Sequence, residues 1–151
     1  MATSRRVSVR GIILHKGKLL CVRLKPYKGS VIRDNSYWCL PGGGLDEGEG
    51  LIAGLKREML EETGIQASVG NLLYVQQFMY KDREFLEFFF HITNNQDYVH
   101  VDLSKTTHGS AELEEISFVD PAITHIMPAF LTTEPLGDHT RTGTTKVISL
   151  L

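Results

Sequence analysis

Cysteine is scarce in this chain of 151 residues, which holds only Cys21 and Cys39, both in apolar settings (LLCVR and YWCLP). A small secreted scaffold stapled by disulfides carries more, so that class is excluded and two buried strand thiols are expected instead. There is no Cys-x-x-Cys, and the six histidines (15, 91, 100, 108, 125 and 139) never fall at a zinc-finger spacing. Long hydrophobic runs are missing as well. The longest extend over about four residues, far below a membrane-spanning length. The opening MATSRRVSVRGIIL is charged but has no apolar core and no cleavage signal, so it does not read as a signal peptide. A cytoplasmic protein with no membrane association is expected. Nor is there a surplus of one charge: 16 Lys and Arg face 18 Asp and Glu, for a formal net charge of −2. That balance excludes a generally basic nucleic-acid coat and an acidic tail.

What is present is a chain of ordinary globular composition, 42% apolar, with no repeat and no low-complexity tract. Its length fits a single domain over residues 1–151. The balanced charge hides a gradient. Residues 1–40 hold nine basic side chains and one acid, whereas residues 41–70 hold two basic side chains and six acids. Val7–Leu14 and Lys18–Arg23 read as strands around a turn at His15-Lys16-Gly17, followed by a basic, loop-like stretch up to Tyr37. Trp38-Cys39-Leu40 is a short strand, and Gly50–Thr63 is the best helix, stopped by Gly64. Leu72–Tyr80 and Phe85–Thr93 form a hairpin around residues 81–84. Ile116–Val119 is a further strand, Pro121–Leu131 a short helix and Lys146–Leu151 a terminal strand, with residues 138–141 as loop. Strands on both sides of a central helix imply an α/β layer architecture around a mixed sheet.

The helix carries the chemistry. Its apolar stripe begins at Leu51 and Leu55, with Ile52 and Met59 beside it. The same row continues into Glu58 and Glu62, and at about 100° per residue these four positions lie within roughly 60° of one another. Glu61 flanks them. Carboxylates stacked at this spacing repel one another, are costly to bury unpaired, and stand at the helix end where the dipole disfavours negative charge. A hard divalent cation would resolve all three problems. An ordinary solvated Glu-rich helix face is the alternative, and periodicity by itself leaves both open.

The spacing around the helix is more specific. Gly43, five residues, Glu49, seven residues, then Arg57-Glu58-Met59-Leu60-Glu61-Glu62-Thr63-Gly64-Ile65 resembles the Nudix box, G-x5-E-x7-R-E-U-x-E-E-x-G-U, where U is bulky and aliphatic. Every fixed position matches, with Met59 a mild departure at the first U. Leu40-Pro41-Gly42-Gly43-Gly44 is similar to the family's usual entry to the box. The resemblance implies a Nudix-type α/β/α sandwich with a central mixed β-sheet and a catalytic loop–helix–loop. It further implies that Glu58, Glu61, Glu62 and the Gly42 carbonyl hold Mg²⁺, with Mn²⁺ as a substitute, and that Arg57 pairs with Glu49. Eight residues of helix would hold that pair about 12 Å apart, so Glu49 must sit in a loop that folds back.

The implied activity is hydrolysis of a phosphoanhydride in a nucleoside diphosphate linked to another group: a nucleoside triphosphate, a dinucleotide polyphosphate or a sugar-linked diphosphate. The proton of the attacking water would go to a carboxylate. The family often places this base outside the box, which points to Glu112, Glu114 or Glu115. Glu112 is preferred for its distance before Phe118, with Glu58 and Glu61 as alternatives. Trp38, Tyr37, Tyr27 and Phe78 are available to stack on a base, and Arg23, Lys25, Lys28 and Arg33 to meet phosphates. Some fifteen residues past the box, where the ADP-ribose subgroup has a proline, stand Met79 and Tyr80, which argues against that substrate. The expected partner is a nucleotide-like small molecule; there is no strong nucleic-acid signal, and a homodimer would be in keeping with the family. A non-catalytic, nucleotide-sensing Nudix domain is the alternative, although it would have no need of all three glutamates.

Overall fold

The structure is a computed structural model that describes residues 4–26 and 36–151. Strand β1 (Ser4–Ile12) is followed by the two-residue β2 (Leu14–His15), β3 (Lys18–Leu24) and the short β4 (Gly42–Gly44). Helix α1 (Leu51–Thr63) comes next, then β5 (Val69–Tyr80) and β6 (Arg83–Ile92). A one-turn α2 (Gly109–Glu112) leads directly into β7 (Leu113–Val119), and the described chain closes with α3 (Leu136–Thr142) and β8 (Lys146–Ser149). A five-stranded mixed sheet has the order β4-β1-β6-β5-β8, and β2-β3-β7 form a smaller antiparallel sheet.

Alternation along β1 and β6 sorts the core into two layers. Val9, Phe88, Phe90 and Ile92 meet Leu55 and Met59 of α1 on one face. Ile12, Phe89 and Tyr74 meet Leu131, Leu136 and Phe130 on the other. The main sheet is therefore covered on both sides, as the α/β/α expectation requires. Its edge positions the site. β4 runs antiparallel to β1 with Ser8, Arg10 and Val9 opposite Gly44, Gly42 and Gly43, so the glycine loop is fixed to the sheet just before α1 begins.

The helix starts one residue later than expected, with Gly50 as its N-cap, and ends at Gly64 in the left-handed conformation. Ile52, placed beside the apolar stripe by its spacing, is 49% exposed. Two expectations near the C-terminus are reversed. Residues 121–131 do not form a helix. Residues 121–124 make a turn, Ile126 pairs with Trp38 as an isolated bridge, and only Ala129–Thr132 winds into a 3₁₀ turn. The helix lies instead at α3, over the 138–141 segment read as loop, where Leu136 is buried and Gly143 caps the end. Cys21 is buried in β3 as expected; Cys39 is only partly buried, on a bridge to Val22. Tyr27, Lys28 and Arg33 lie outside the described residues. No helix among the described residues is long and apolar enough to cross a membrane.

Candidate active site

Glu62 is the most unusual side chain of the box, a carboxylate only 4% exposed. The helix row that buries Leu55 and Met59 carries it inward, over the glycine loop. The Gly42 N–H donates to its Oε2 at 3.0 Å. Burial pushes the Glu62 carboxyl up to about 8; the Gly42 bond and Arg10 oppose the rise, while the charges of Glu58 and Glu112 add to it. Glu58 lies beside it, and its carboxyl is likewise raised, chiefly by desolvation. The loop is shaped around the pair. Gly42 has φ +133° and a Cβ there would fall 2.1 Å from the Val9 carbonyl oxygen, while a Cβ on Gly43 would fall 2.8 Å from the Glu58 carboxyl. At Gly42 only a bare backbone fits, while at Gly43 an added Cβ would push the Glu58 carboxyl aside.

Arg57 organises the outer side of the helix. Its Nε and Nη2 donate to the two oxygens of Glu49 at 2.7 and 2.9 Å, the bidentate geometry that makes such pairs strong. Glu49 therefore does fold back from the loop, and the Arg57 guanidinium holds its carboxyl down to about 2. The remaining Arg57 nitrogen, Nη1, donates to Glu58 at 3.1 Å and to Glu61 at 3.2 Å. Glu61 also faces His108, with Nδ1 3.1 Å from Oε2. Glu112 is exposed at the end of α2 yet close enough for its charge to act on Glu62. Its two rivals point elsewhere: Glu114 is exposed within β7, and Glu115 pairs with Arg23 at 2.8 Å.

Hard oxygen donors, the buried Glu62 carboxyl and the partly buried Glu58 whose charge raises its proton affinity, stand beside a side-chain-free backbone and fit a divalent cation such as Mg²⁺ or Mn²⁺. Among the described residues, no three acidic, His or Cys side chains are gathered tightly enough to hold a metal between them. Arg57 Nη1 instead holds Glu58 and Glu61 at 3.1 and 3.2 Å.

Sequence spacing missed a second set of polar groups. On the sheet face away from α1, Arg10 donates through Nη1 to the carbonyls of Gly42 and Leu40, at 3.1 and 3.3 Å, and its Nε reaches Glu87 at 3.4 Å. Ser8, Glu87 and Gln76 are buried in one row that continues from Gly44, and Gln76 Oε1 has no hydrogen-bond partner. The available signal was a lone charge inside an apolar strand, in SVRGII and in FLEFFF. The proposed base-stacking rings are occupied differently: Phe78 stacks on Phe85, and the Arg23 guanidinium lies over Trp38. Lys25 donates to the Ser110 carbonyl at 2.7 Å.

Comparison with known proteins follows the same lines. A model of the NUDIX domain matches residues 4–133. A MutT-like protein of Streptomyces ambofaciens is 40% identical over 67 residues, a match covering 44% of this chain and 38% of that protein. The chain thus aligns with well under half of that relative's length. The crystal structure of a MutT protein from Methanosarcina mazei superposes with a TM-score of 0.69 at 24% identity, over 94% of this chain and 97% of the other. A UDP-X diphosphatase superposes with a TM-score of 0.67 at 18% identity, over 98% and 68%. At these identities the two structures speak for the fold.

Proposed function

The chain belongs to the NUDIX family of pyrophosphohydrolases, and from that premise we propose that it is a metal-dependent hydrolase of nucleotides. The bond cleaved is a phosphoanhydride in a nucleoside diphosphate linked to a further phosphate, a second nucleotide or a sugar. The observation that carries this reading is the buried Glu62 carboxyl beside Glu58 at the Gly42–Gly43 backbone, a costly arrangement that serves no packing purpose. Glu58, Glu61, Glu62 and the Gly42 carbonyl would hold Mg²⁺ or Mn²⁺, which when bound neutralises phosphate oxygens and acidifies water.

The chain's own residues do the rest. Arg57 fixes the loop through Glu49 and holds Glu58 and Glu61 through Nη1. Glu112, exposed and within electrostatic reach of Glu62, accepts the proton of the attacking water. Arg10, seated on the Gly42 carbonyl, holds the loop's backbone oxygen in place. The substrate is a nucleotide-sized anion, and the setting is cytoplasmic.

A panel of nucleoside triphosphates, dinucleoside polyphosphates, UDP-glucose and ADP-ribose, each with Mg²⁺ and Mn²⁺ and with products identified by mass, tests this reading. One or more is expected to be cleaved at a phosphoanhydride, and EDTA is expected to abolish turnover. Glu62→Gln should lower turnover at least about a hundredfold, a loss typical of groups that stabilise transition-state charge. Wild-type activity in that variant would refute the metal assignment, and no turnover of any substrate would refute the hydrolase.

A further inference from the structure

We propose that His108 is a positioning residue: its imidazole holds the Glu61 carboxylate ready for metal while its main chain holds the loop that bears Glu112. The inference rests on the metal-dependent hydrolase reading above. It begins at the C-terminal end of α1, whose last carbonyls have no partner within the helix. The Leu60 carbonyl is taken by the Gly64 N–H, and the Glu61 carbonyl by the His108 N–H at 3.0 Å. Thr107 Oγ1 adds a long bond of 3.4 Å to the same oxygen. The His108 carbonyl then accepts from the N–H groups of Ala111 and Glu112, at 3.1 and 3.0 Å. One residue thus ties the helix of the box to the turn that carries the exposed carboxylate.

Those main-chain bonds would form with almost any residue at this position, so they do not call for histidine. The ring does something else. It is half exposed, with side-chain exposure of 50%, and belongs to neither apolar layer; its Nδ1 lies 3.1 Å from Glu61 Oε2. An ionised carboxylate can only accept, so Nδ1 donates. Arg57 Nη1 reaches the same oxygen at 3.2 Å. Two donors hold that one oxygen, and among the described residues none donates to Oε1. An exposed ion pair is ordinarily of little consequence because both side chains must be ordered to make it. Here the backbone bonds of His108 already fix the main chain that carries the ring. Outer partners that orient a metal-binding side chain commonly matter ten- to a hundredfold in affinity or activity.

The test uses the full chain and Mn²⁺ alone as the first probe, titrated into wild type, His108→Ala and His108→Asn. Asparagine keeps a side-chain N–H near the position of Nδ1. His108→Ala is expected to weaken Mn²⁺ about tenfold or more, with the thermal midpoint unchanged because the main-chain bonds survive. His108→Asn should recover most of the loss. On the fastest substrate of the panel, kcat should follow the same order while KM stays within about twofold, as expected of a ring that acts through Glu61. Wild-type Mn²⁺ affinity in His108→Ala would overturn the proposal, as would an asparagine variant as weak as the alanine one. A wild type that binds Mn²⁺ yet cleaves nothing would refute the hydrolase reading alone, and the Mn²⁺ comparison would still decide the role of His108.

Discussion

Gly42 and Gly43 are neighbours without side chains, yet a methyl group would do different damage at each. At Gly43 the new Cβ meets the Glu58 carboxyl at 2.8 Å, the free end of a side chain that can swing aside. Gly43→Ala should therefore fold with a thermal midpoint near that of wild type but bind Mn²⁺ and turn over substrate at least about tenfold less well, because the carboxylate has been displaced. At Gly42 the Cβ meets the backbone of β1 at 2.1 Å, on a residue with φ +133°. Gly42→Ala should cost more than about 2 kcal/mol in urea unfolding, since backbone strain of this kind has no cheap release. A Gly43→Ala protein as unstable as Gly42→Ala would contradict this division. The run of glycines was visible in the sequence. Which contact each one serves was not, because Val9 and Glu58 come from separate elements.

At the scale of elements, α1 is the part most legible beforehand, since its row passes from leucine to glutamate and its end is marked by Gly64. The loop before it owes its shape to the bidentate Arg57–Glu49 pair, whose effect on stability depends on pH in a defined direction. Glu49 is held down to about 2 from an ordinary 4.5, so the stabilising contribution is complete above the unfolded value and is lost as pH falls from about 4.5 toward 2. Thermal melts between pH 2 and 7 should show wild type losing stability across that window, with Glu49→Gln less stable at neutral pH and flatter below 4.5. Parallel curves would sink the argument. The reversed assignments near the C-terminus have a tertiary cause. Residues 121–131 look helical, but Ile126 is drawn out to pair with Trp38, a residue far away in the chain. The short α3 has little propensity of its own, and burial of Leu136 against the second face of the sheet stabilises it.

For the whole molecule, the buried Glu62 couples folding to protonation, and under the proposed metal role to metal as well. Its carboxyl is raised to about 8 from 4.5, so without metal the neutral form is the stabilising one. That contribution is complete below about 4.5 and is lost as pH rises through 8. Urea unfolding in EDTA should therefore show wild type becoming less stable between pH 5 and 9, by an amount on the order of a few kcal/mol. Glu62→Gln, which cannot ionise, should lack that slope. Bound Mg²⁺ or Mn²⁺ requires the ionised carboxylate, so binding should release a proton below pH 8 and strengthen as pH rises. Calorimetry in two buffers of different ionisation enthalpy measures that proton directly. An affinity independent of pH would remove Glu62 from the metal site.

By itself the sequence determined the class of chemistry, because the box places its carboxylates, its arginine and its glycines within 23 residues, and a helix and its flanking loops are local structures. It also determined the layered α/β form, since alternating strands and one amphipathic helix can bury their apolar faces in few other ways. Only the tertiary structure decided which polar groups gather around the box. Arg10 on the Gly42 carbonyl, the buried row of Ser8, Glu87 and Gln76, and His108 on Glu61 all meet through strand register and loop docking. Those contacts join residues tens of positions apart. No local spacing encodes them, because they exist only once β1, β6 and the 105–112 loop have packed around α1.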